Sequence, residues 1–131
     1  LIFHQREADD DFLAVLREAW DSDMRGVIHC FTGDAVSARR FVDEFGLKLG
    51  IGGVLTFKTA QTLREAVVEV GIEHLILETD CPYLAPVPYR GKRNEPAFLA
   101  AVADLLAELL ACDRAELIER TTATARTLFG V

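Results

Sequence analysis

In residues 25–53, RGVIHCFTGDAVSARRFVDEFGLKLGIGG, the spacing of the apolar residues changes twice. Arg25–Cys30 is a short apolar run with two β-branched residues, which reads as a strand. Ala38, Phe41, Val42 and Phe45 then recur every three or four residues, the stripe of one helix face. Leu47–Ile51 returns to a strand, and Gly50, Gly52 and Gly53 at its end leave space for backbone or ligand to approach closely. Strand, helix and strand make one β/α unit, whose strands lie parallel.

The same alternation continues in both directions. Upstream, Leu1–Phe3 reads as the tail of a strand, followed by a helical stripe of Phe12, Leu13, Leu16, Ala19 and Trp20. Downstream, Leu63, Ala66, Val67 and Val70 mark a helix, and His74–Leu77 is a fourth strand running into Glu78-Thr79-Asp80. A long irregular stretch, Cys81 to Asn94, holds three of the four prolines. Pro96 suits the first turn of the next helix, with Asn94 as its expected N-cap. Phe98, Leu99, Val102, Leu106 and Leu109 face inward on that helix, and Asp113 with Glu116 opens a last one reaching about Leu128.

Four β/α units make half of an eightfold barrel, which usually needs ~250 residues. The expected fold is therefore α/β, with parallel β/α units forming half of a TIM-type barrel. A flavodoxin-like open sheet is the structural rival, but no phosphate-binding glycine loop follows the first strand. The chain starts inside a strand and its one Met is Met24. Residues 1–131 are accordingly expected to be a single-domain fragment, the C-terminal half of a longer protein.

Half of the residues are hydrophobic, enough for a packed core and too many for a disordered segment. No apolar run approaches the ~18 residues of a membrane span, and no secretory leader is visible. Cys30, Cys81 and Cys112 are odd in number and lack CxxC spacing, which fits reduced thiols in a cytoplasmic protein. A net charge of −7 opposes a general grip on nucleic acid, although not a local basic site.

In a parallel barrel, reacting groups stand where strands end and loops begin. Three of the four strands end in residues able to bind a metal: His4, His29 and Asp80. Each also has a structural reading, as a hydrogen-bonded histidine or a turn aspartate. Imidazole with carboxylate suits borderline or hard divalent ions. Glu78 and Asp80 have the same parity and face the same side, so Glu78 is either an orienting partner of a ligand or an ion-paired core residue. His74, at the opposite end of its strand, is structural. In the long loop Arg90, Lys92 and Arg93 form a candidate phosphate clamp, with Arg6 as a further cation. Tyr83 and Tyr89 are candidates for stacking on bases. Cys81, a conceivable thiol nucleophile, has no evident base.

Several segments, in order along the chain, resemble the TatD family of metal-dependent deoxyribonucleases. They are His4-Gln5-Arg6-Glu7-Ala8, His29 to Gly33, Gly52 to Lys58, Glu78 to Pro86, Arg90 to Pro96, and Thr121-Thr122 with Leu128 to Gly130. The resemblance implies an amidohydrolase-like barrel, a centre of two divalent ions (Mg, Mn or Zn) and hydrolysis of phosphodiester bonds in DNA, single-stranded or at its ends. It makes His4 and His29 ligands of one ion, and Asp80 a ligand of the other that also handles the proton of the attacking water. Thr124 stands where the family often has Asn. The family's His-x-His and bridging Glu are absent from these residues, so the missing half of the barrel is expected to supply them and the fragment alone to be inactive. Two other functions stay open: an amidohydrolase-type enzyme for a small ester, lactone or amide, and a non-catalytic half-barrel that binds a partner along its open edges.

Overall fold

A computed structural model describes residues 1–131. Four strands alternate with helices: β1 (Ile2–His4), α1 (Asp9–Ala19), β2 (Val27–His29), α2 (Ala35–Phe45), β3 (Lys48–Ile51), α3 (Gln61–Val70), β4 (Leu75–Leu77), α4 (Leu99–Leu109) and α5 (Arg114–Phe129). The strands form one parallel sheet in the order β1-β2-β3-β4. Each strand pairs with the next in sequence, as successive strands of a barrel do. The doubly wound rival reverses its strand order at a switch point, and no reversal occurs here.

Alternation along the strands gives the sheet two different faces. Ile28, Leu49 and Leu75 point to the helices and belong to a core of 23 buried residues, with Phe3 and Leu77 packed against it. Phe41, Leu13, Leu55, Leu106 and Leu117 are fully buried in that core. His4, His29 and Gly50 occupy the other face, and the register sets His4 directly beside His29. α2 packs on α3, and α5 covers β4 and α4. No helix is long and apolar enough to cross a membrane.

The caps follow local chemistry. Asp34 starts α2 by accepting from the Ser37 N–H at 2.8 Å, and Gly46 ends it in the left-handed conformation. Asp113 starts α5 as expected, accepting from Ala115 N–H. Asn94 is a correction: it does not cap α4. A 3-10 turn, Pro96–Phe98, precedes that helix. Asn94 is buried and donates from Nδ2 to the Tyr83 carbonyl at 2.7 Å, so its side chain ties the long loop together instead. A second 3-10 turn, Gly53–Thr56, follows β3.

Candidate active site

The ends of β1, β2 and β4 meet at one rim of the sheet. The rings of His4 and His29 lie 5.9 Å apart between centroids. His29 meets a carboxylate at each nitrogen: Glu78 Oε1 is 2.7 Å from Nδ1, and Asp80 Oδ1 is 3.5 Å from Nε2. The shared parity of Glu78 and Asp80 accounts for both reaching the same ring. Glu78 also accepts from the Cys30 N–H at 2.6 Å. Burial pushes its carboxyl above the usual carboxylate range, opposed by the Cys30 N–H and by His29.

Glycines in β3 and in the turn that follows it make this packing possible. An added Cβ at Gly50 would stand 2.2 Å from Glu78 Oε2, and one at Gly53 would stand 2.0 Å from the Leu84 carbonyl oxygen. The close approach expected from the sequence is thus made by a half-buried carboxylate and by loop backbone. Gly53 lets the long loop settle over the turn after β3, where Val87 N–H donates to Thr56 Oγ1 at 2.8 Å.

A cleft of about 440 Å³ opens at the rim, lined by His4, Arg6, His29, Asp80 and Tyr83 among others. Cys30 also lines it. Burial, then the charges of Glu78 and Asp80, push its thiol up to about 11. A thiol so firmly protonated is a poor nucleophile. Sequence reasoning overlooked the backbone of Cys30, whose φ of 49° sits in the left-handed region. Only this non-glycine conformation immediately after a strand-end histidine marks it, and that is not visible in sequence.

The loop cations and aromatics divide. Arg90 lies with its guanidinium 3.9 Å above the Phe57 ring and donates to the Ala85 carbonyl at 3.1 Å. Tyr89 stacks on Phe98 at 3.9 Å between centroids, so its ring is already engaged. Lys92, 6.0 Å from the Tyr89 ring, and Arg93 are exposed but do not line the cleft. Tyr83, 69% exposed, does line it. His74 stands in the turn before β4, away from this rim.

As donors, His4, His29 and Asp80 suit a divalent ion. A carboxylate on the far nitrogen of an imidazole is also the usual partner of a metal-binding histidine. Even so, no group of three or more His, Cys, Asp or Glu side chains is gathered closely enough to hold an ion. The residues fit part of a metal centre.

A sequence profile of the TatD related DNase family matches residues 1–130. All 131 residues align at 40% identity with an uncharacterized metal-dependent hydrolase, YabD, of Bacillus subtilis, covering 51% of that protein. The whole chain also aligns at 37% identity with a 3′-5′ ssDNA/RNA exonuclease TatD of Erwinia amylovora, covering 52% of it. Among solved structures, the TatD homologue YjjV of Escherichia coli superposes with a TM-score of 0.90 at 31% identity, over 99% of this chain and 49% of that one. The chain thus spans about half the length of the relatives it matches.

Proposed function

Because the chain belongs to the family of TatD-related DNases, a family of metal-dependent hydrolases, we propose that it carries half of the active site of an enzyme that hydrolyses phosphodiester bonds in single-stranded DNA. The observation that carries this reading is the rim where His4, His29 and Asp80 share one cleft with Arg6 and Tyr83. The exonuclease name of the Erwinia relative supports the choice of substrate.

In this reading His4 and His29 hold a divalent ion, Mg, Mn or Zn, and Asp80 belongs to a second ion position. A bound ion lowers the pKa of water and neutralises charge on phosphate oxygens. Asp80, 38% exposed at its side chain, accepts the proton of the attacking water. Arg6 contacts the phosphate from within the cleft, while Lys92 and Arg93 hold the backbone farther along the strand. Arg90, pinned between Phe57 and Ala85, adds charge to the loop more than a movable fork. Phosphate contacts of this kind give affinity without base specificity. Tyr83 offers its open face to a base next to the reacting phosphate, and Tyr89, stacked on Phe98, does not.

The test uses protein expressed from its complete gene. With added divalent ion it should shorten end-labelled single-stranded DNA, and a chelator should stop it. Turnover of small esters or lactones with no loss of DNA length would instead favour the small-substrate hydrolase.

A further inference from the structure

We propose that Glu78 is a positioning residue that holds His29 with its proton on Nδ1, and that Gly50 is the vacancy through which it does so. The inference deepens the metal-hydrolase reading and takes its purpose from it.

Glu78 follows β4 and His29 ends β2, with β3 lying between the two strands. A carboxylate leaving β4 must therefore cross β3 to reach the imidazole. Gly50 stands at the crossing. A Cβ there would come within 2.2 Å of Oε2 and 2.5 Å of Cδ, so any other residue would evict the carboxylate. On the far side two groups converge on one oxygen. Oε1 accepts from the Cys30 N–H at 2.6 Å and lies 2.7 Å from His29 Nδ1. The left-handed backbone at Cys30 belongs to this arrangement.

An ionised carboxylate only accepts hydrogen bonds, and one ring nitrogen of a neutral imidazole must be the donor. Nδ1 is the nitrogen that faces Glu78, so it carries the proton. The lone pair is then left on Nε2, which faces Asp80 at 3.5 Å. That is the form able to donate electrons to a cation; the opposite tautomer would present N–H to it. The seat is rigid because strand pairing fixes both of its ends, and only the crossing residue had to be small.

The tautomer can be read directly in metal-free protein expressed from its complete gene, without an activity assay. Long-range ¹H–¹⁵N correlation spectra would be recorded at about pH 8.5, some two units above the ordinary histidine pKa. A His29→Gln variant identifies its signals. In the unsubstituted chain His29 should show a pyrrole-type Nδ1 and a pyridine-type Nε2. Glu78→Ala and Gly50→Ala should both return His29 to the Nε2–H form that free neutral histidine favours. An Nε2–H ring in the unsubstituted chain overturns the inference, as does an Nδ1–H ring persisting in both folded variants. If circular dichroism shows neither variant folded, the Nδ1 proton of the unsubstituted chain decides. A slowly exchanging, downfield signal supports the clamp, and a freely exchanging one overturns it. The expected switch in a complete gene product that fails to cleave DNA would sink the nuclease reading and leave the clamp standing.

Discussion

His4 and His29 are register neighbours, yet His29 is the one with a carboxylate at each ring nitrogen. The strand-end positions and the common parity of Glu78 and Asp80 were legible because both follow from counting along a strand. The engagement of Tyr89 was not, since its partner Phe98 lies across an irregular loop where no period guides the reading. His74 was correctly read as distant from the rim, but its sequence gave no hint that Nδ1 would be buried without a partner. Burial first, then the charges of Lys48 and Arg39, lower its pKa, with Asp43 opposing them. A histidine whose folded pKa is depressed leaves the unfolded chain to bind the proton first. Stability is therefore lost as pH falls from about 6.5 toward the folded value. His74→Leu removes that loss, so its melting temperature should fall less than that of the unsubstituted chain between about pH 7.5 and about pH 5.5. Parallel pH profiles for the two would contradict the assignment.

At the scale of elements, helices were readable where stripe and cap lie close together in sequence. Asp113 accepts from Ala115 N–H at 2.7 Å and, more weakly, from Glu116 N–H at 3.4 Å. Glu116 does not complete a reciprocal box; it pairs with Arg120 at 3.1 Å. Asp113→Ala should cost about 1 kcal/mol, the usual worth of such a cap, read as a lower urea midpoint at unchanged slope. A midpoint equal to that of the unsubstituted chain would show that the packing of α5 on β4 and α4 carries the start of this helix. Asn94 has the same cap-forming chemistry, but long-range bonds to the loop claim it. β2, β3 and β4 are shorter than their apolar runs, β2 covering Val27–His29 within Arg25–Cys30, because pairing partners, and not hydrophobicity, end a strand.

Over the whole molecule, repetition of the β/α unit made the architecture legible, and the sequential strand order bears it out. β1 and β4 are the sheet's two edges, and at the start of β1 Leu1 and Ile2 are 61% and 66% exposed. An arc of four strands presents its candidate donors on one rim but does not encircle an ion, in keeping with the lack of any three-donor cluster. The role of the rim is best tested by the rate of divalent-ion-dependent cleavage of single-stranded DNA, comparing the complete gene product with its Asp80→Asn form. A fall of about 10²–10⁴-fold, the usual worth of a positioned proton acceptor, with folding retained by circular dichroism, is the expected result. Cleavage by Asp80→Asn at the unsubstituted rate would contradict the assignment of this rim as the place where the water is activated.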